Sequence, residues 1–107
     1  MSLDIYLQER AITDVYESNI THNLGKMADK AGIYECLWHP ESLGINRAIQ
    51  LIEPLMIGIY KLRKNPEYYK KFNSPNGWGM YEHFVPFVDE LLTACLEHPN
   101  AKVVVSI

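Results

Sequence analysis

The chain has 107 residues, with 10 basic and 13 acidic side chains and a formal charge of −3. That length suits one domain around a single core, and 48% apolar with 21% charged residues excludes a disordered chain. No apolar run reaches the ~18 residues of a spanning helix, and the mildly acidic balance gives no general attraction to nucleic acid or anionic membrane.

Residues 3–8 alternate, with Leu3, Ile5 and Leu7 on one side and Asp4, Tyr6 and Gln8 on the other. This period predicts a strand with one buried face. Glu9 to Thr13 reads as a connection, and Asp14 to Ser18 as the return arm of a hairpin. Leu24, Met27, Ala28 and Ala31 then form one apolar helical stripe. Thr21 or Asn19 is suited to cap it and Gly32 to stop it, which predicts a helix near 22–31. Tyr34 to Trp38 is expected as a short helical turn ended by Pro40.

From Asn46 the apolar positions Ala48, Ile49, Ile52, Leu55, Met56, Ile59 and Leu62 predict a long helix. Pro54 should kink or restart it, and Asn65-Pro66 should end it. Glu67 to Phe72 allows one more turn. Asn73 to Gly79 is the densest cluster of turn formers. A last helix follows, with Tyr81, Phe84, Val88, Leu91, Leu92 and Cys95 on its buried face and a second threat of a kink at Pro86. Lys102 to Ile107 reads as a closing strand. Val103, Val104 and Val105 lack polar alternation, so this strand is expected to be covered on both faces, as the central one of its sheet. The order predicts an α+β fold over residues 1–107: a small antiparallel sheet, made of the N-terminal hairpin and the C-terminal strand, with three or more helices packed on it.

Three segments are familiar in combination: Ser2-Leu-Asp-Ile-Tyr-Leu7, Asn19-Ile-Thr-His-Asn-Leu-Gly-Lys-Met-Ala28 and Asn76-Gly-Trp-Gly79. With the valine-rich C-terminus they resemble a family of small uncharacterised bacterial and phage-associated proteins. The resemblance implies no catalytic residue, since no activity is established for that family. It implies that longer insertions are tolerated at Gln8–Thr13.

Three constellations could carry chemistry. The first is the polar start of the first helix. Asn19, Thr21, His22 and Asn23, closed over by Asn76, Trp78 and Tyr81, would make a pocket with an aromatic wall for a small molecule or nucleotide. His22 would be its only proton shuttle near neutral pH. The plainer reading is helix capping and loop satisfaction. The second is a doubled Cys-x-x-His-Pro, Cys36 with His39 and Cys95 with His98, which offers four possible zinc ligands. Against it, both segments read as helix ends, and 59 residues between equivalent positions fits no compact zinc module. The third is residues 60–72, where Lys61, Arg63, Lys64, Lys70 and Lys71 outnumber Glu67. That local +4 leaves −7 elsewhere. Beside Tyr68 and Tyr69 these cations could hold a nucleic-acid backbone, although a solvated helix end explains them as well.

No phosphate loop, dinucleotide fingerprint, serine elbow or His-Glu-x-x-His pair is present. The Met-Ser-Leu-Asp start lacks an export signal, so a cytoplasmic location is expected, with Cys36 and Cys95 as thiols. The leading expectation is a non-catalytic protein-interaction module whose partner is another protein or a second copy, with no cofactor. The alternative is the small-ligand site around His22.

Overall fold

The alternation of Leu3, Ile5 and Leu7 becomes the centre of the molecule. All three are buried beneath the helices from strand β1, Ser2–Glu9. A computed structural model describes residues 2–10 and 13–107. Residues 11 and 12 of the expected hairpin connection lie outside the described residues. Strand β2, Thr13–Thr21, pairs antiparallel with β1, with a bulge opposite Leu7/Gln8. A 3-10 turn at His22–Leu24 runs into helix α1, Gly25–Lys30. Helix α2 is Tyr34–Trp38, α3 is Ile49–Lys64, α4 is Pro66–Lys70 and α5 is Tyr81–Glu97. Strand β3, Lys102–Ser106, returns antiparallel to β1. The α+β reading therefore holds, with both chain ends in one three-stranded sheet. No helix among the described residues is long and apolar enough to cross a membrane.

The strand order is β2-β1-β3, so β1 is central and β3 an edge. This corrects the placement of the valine run. Val103 is buried, while Val104 and Val105 are only partly covered. Val104 stands opposite Tyr6 on the face of the sheet that carries no helix. An apolar cross-strand pair there replaces the polar residue that alternation would demand.

β2 also runs three residues further than expected. Its core-facing positions are Tyr16, Ser18 and Ile20, opposite Leu7, Ile5 and Leu3. Asn19 and Thr21 thus belong to a strand rather than to a helix start. Thr21 still caps the following turn, its Oγ1 accepting from the Asn23 N–H at 3.2 Å.

Neither internal proline interrupts its helix: α3 runs through Pro54 and α5 through Pro86. Each is the sixth residue of its helix, so the lost donor falls near the N-terminal end, and the packed faces on either side hold the axis. Leu51, Leu55, Ile59 and Leu62 of α3 are buried, as are Phe84, Phe87, Val88, Leu91, Leu92 and Cys95 of α5. Ile49 and Met56, expected on the apolar stripe, point outward instead. The two helices are tied by the Tyr81 hydroxyl, which donates to the Leu62 carbonyl at 2.7 Å, and by Arg63 with Asp89 at 3.3 Å.

Gly58 lets α3 approach the α1–α2 connection. A Cβ at this position would lie 2.6 Å from Ile33 Cγ2, and Ile33 is itself buried. Gly58→Ala gains about 1 kcal/mol of helix propensity and meets an overpacking cost of about 1–3 kcal/mol. A net loss near 1 kcal/mol is expected in urea unfolding. Ile33→Ala should make Gly58→Ala neutral or stabilising, because it removes the clashing methyl. If Gly58→Ala costs as much with alanine at 33 as with isoleucine, the close approach is not what sets its effect.

Candidate functional site

The main chain of β3 fixes which way every strand in the sheet points its hydrogen-bonding groups. The Val103 N–H donates to the Asn46 carbonyl at 3.0 Å, away from β1. Main-chain groups alternate sides along a strand. Lys102, Val104 and Ser106 therefore bond to the even residues of β1, and Leu3, Ile5 and Leu7 bond to Ile20, Ser18 and Tyr16 of β2. The N–H and C=O groups of Glu17 and Asn19 are left facing outward. Among the described residues no main-chain hydrogen bond engages them. The other edge is protected, because the Asn46–Ala48 segment runs along β3, with the Ala48 N–H donating to the Ala101 carbonyl at 2.9 Å.

A groove of about 620 Å³ lies along the open edge. Its floor and strand side are Ser18, Asn19, Ile20 and Thr21, with Leu24 behind. The opposite wall is α5, through His83, Pro86, Phe87 and Glu90. Trp78 stands at the end, 72% exposed. A tryptophan this open contributes little to its own core, and tryptophan is the side chain most enriched among binding hot spots.

The turn that carries Trp78 is built to hold it there. Asn76 Oδ1 accepts from the Trp78 N–H at 2.9 Å and from the Ser74 hydroxyl at 2.6 Å. Asn23 Nδ2 donates to the Trp78 carbonyl at 2.8 Å. Gly79 has φ +114°, and a Cβ there would sit 2.9 Å from Asn23 Cβ. A side chain at Gly79 would be strained and would also push the turn off β2. Asn73 Oδ1 accepts from the Tyr81 N–H at 2.6 Å and so starts α5.

The structure thus brings the Asn19–Asn23 and Asn76–Tyr81 segments together, but it distributes their side chains differently from the expectation. Asn19, Thr21 and Trp78 line the groove. Asn23 and Asn76 hold the turn, and the Tyr81 hydroxyl turns to α3. His22 is absent from the groove. Its Nδ1 accepts from the Trp38 indole N–H at 2.8 Å, which commits that lone pair to structure. Sequence reading missed the α5 wall. The available signal was a second stripe at positions 83, 86, 87 and 90, the i, i+3, i+4, i+7 spacing of one helix face.

The zinc reading fails on geometry. Cys36, His39, Cys95 and His98 form no group of three or more possible ligands among the described residues. Both thiols are free and buried. Burial pushes each up to about 12, with the neighbouring Cys36 adding to the shift at Cys95. Metal binding needs thiolates, which this setting disfavours. The imidazoles go elsewhere, His39 towards Glu41 at 4.0 Å and His98 towards Glu9 at 3.7 Å.

Four of the five cations of residues 60–72 have local partners. Arg63 meets Asp89, and Lys70 meets Glu67 at 3.7 Å. Lys64 Nζ donates to the Tyr60 hydroxyl at 3.2 Å, and Lys71 lies over the Tyr68 ring. Lys61 is exposed and approaches Gly32. Tyr69 is buried, so it is not offered as a stacking surface. No family model matches this chain, nor does any curated protein or solved structure.

Proposed function

We propose that this protein is a non-catalytic interaction module that captures an extended segment of another protein as an added strand on β2. The observation that carries the reading is the coincidence of two features: unpaired main-chain groups at Glu17 and Asn19, and an apolar groove beside them. Added strands gain affinity from main-chain hydrogen bonds and specificity from pockets for alternate side chains. Here every second side chain of the added strand would enter the groove against Phe87, Pro86 and Trp78.

Charge selects the partner. Glu90 lines the groove, in which no lysine or arginine takes part, and Glu17 lies on the edge strand. A segment alternating apolar with basic residues complements this surface. A second copy of the chain does so less well, since its β2 brings its own Asp14 and Glu17.

Selection from a random dodecapeptide library on the purified chain tests the reading. Enriched peptides should alternate apolar residues with lysine or arginine. Binding should slow amide exchange at Glu17 and Asn19 and should weaken at least tenfold in Trp78→Ala, on the scale of a tryptophan hot spot of about 2 kcal/mol or more. Enrichment that is equal on Trp78→Ala, or unchanged exchange at both amides, overturns it. A concentration-dependent dimer that protects the same two amides would replace the foreign partner with a second copy.

A further inference from the structure

A second hollow, of about 690 Å³, lies at the other end of the sheet and is lined by polar and charged residues. It is lined by Arg10, Arg47 and Lys102 with Gln8, Glu9 and Asn100. From these residues we infer an oxyanion site that binds a chain of phosphates, independent of the peptide groove.

Two local rules are broken to build it. Arg47 and Lys102 are bridged partners on adjacent segments. Their flanking hydrogen bonds, Val103 N–H to Asn46 O and Ala48 N–H to Ala101 O, mark a non-hydrogen-bonded pair. In such a pair the side chains stand closest, with Cα atoms about 4.5 Å apart. Like charges directly opposite one another destabilise a sheet. Arg10 meanwhile has φ +52°, in the left-handed region that favours glycine, and it is the one non-glycine residue there among the described residues. Strain of this kind concentrates at binding sites.

None of these three cations has an ion-pair partner among the described residues. Glu9, the one carboxylate on the rim, faces His98 at 3.7 Å. Gln8 Nε2 is already committed to Asp14 at 2.9 Å, while the exposed Asn100 lines the hollow. Three cations lining one hollow exceed the charge of a single phosphate and match a di- or triphosphate. In residues 60–72, by contrast, Arg63, Lys64, Lys70 and Lys71 have local partners.

The probe is inorganic triphosphate, titrated at constant ionic strength with amide chemical shifts as readout. Shifts are expected at Arg10, Arg47, Asn100 and Lys102, saturating below millimolar concentration, and Lys102→Gln should weaken binding at least tenfold. Adenosine triphosphate binding more tightly than inorganic triphosphate would identify a nucleotide as the source of the phosphates; equal binding would identify a free polyphosphate. A separate readout needs no ligand. Lys102→Glu should abolish binding and raise the thermal midpoint by about 2 °C, because it turns a repulsive pair into an attractive one. Shifts centred on residues 61–71, a response that chloride reproduces, or a lower midpoint in Lys102→Glu would each overturn the inference.

Discussion

Asn19→Pro is expected to abolish peptide capture and leave the fold standing, whereas Ser18→Pro is expected to destroy the fold. The two substitutions sit one residue apart on the same strand. They differ in where the lost N–H points. Ser18 faces Ile5 across the ladder, so proline there removes a sheet hydrogen bond and drives its ring towards β1. The cost is about 3 kcal/mol or more, a large share of the roughly 5–15 kcal/mol that a domain of this size has. The Asn19 N–H points away from β1 and has no main-chain partner. Proline is tolerated on an edge strand when its missing donor faces solvent, and the preceding residue is already extended, as proline requires.

Urea unfolding should therefore place Asn19→Pro within about 1 kcal/mol of the parent chain. Any selected peptide should nevertheless bind it at least tenfold more weakly, because one main-chain bond is lost and the ring blocks the edge. Equal destabilisation by the two prolines would mean that the outward direction of Asn19 is misassigned. Normal binding to Asn19→Pro would mean that ligands do not add to β2.

β1 was legible because its alternation is complete, and a one-sided strand must alternate. The same alternation says nothing about strand order, however, since central and edge strands of a one-layer sheet both leave one face open. Three consecutive valines pointed to a covered central strand. In fact Val104 pairs with Tyr6 on the open face, a local apolar contact that sequence spacing does not reveal. The length of β2 is hard to see in the sequence, because Ser18 holds a core-facing position and only Ile20 marks the continuation. A polar residue at one inward position is enough to break a period-two pattern.

The doubled Cys-x-x-His-Pro has a backbone origin. His39 has φ −136° and ψ 57°, and His98 has φ −131° and ψ 61°. Asn65, which has no cysteine before it, has φ −132° and ψ 58°. All three residues end a helix and precede a proline, which forbids them the helical region. The repeat therefore records one way of stopping a helix, and the cysteines occur three residues earlier because that position faces the core. His22 was unreadable for a different reason. Its partner Trp38 lies sixteen residues away on another helix, and only the packed fold brings them together.

A loss of stability that begins near pH 9 is the second large expected effect. Cys36 and Cys95 are 3% and 0% exposed, and burial raises each thiol from 9.0 to about 12. In the unfolded chain both lose their protons at the ordinary value, so between pH 9 and 12 the folded state holds more protons than the unfolded one. Stability from this source is complete below pH 9 and falls as pH climbs towards 12. At the upper end the loss is on the order of 4 kcal/mol per thiol, so two thiols rival the whole stability of a small domain. Tyr16 and Tyr69 are shifted the same way, chiefly by burial, and steepen the fall above pH 10. Urea unfolding from pH 7 to 11 should show the thiol contribution undiminished up to about pH 9 and then a fall with a slope approaching two protons. Cys36→Ala or Cys95→Ala lowers the baseline through lost packing but reduces that slope by about one proton, or roughly 1.4 kcal/mol per pH unit. Iodoacetamide at pH 8 should label the native protein only as fast as it unfolds. Rapid labelling at pH 8, or a slope unchanged by both alanine variants, would mean that these thiols reach water in the folded chain and that the core is not closed around them.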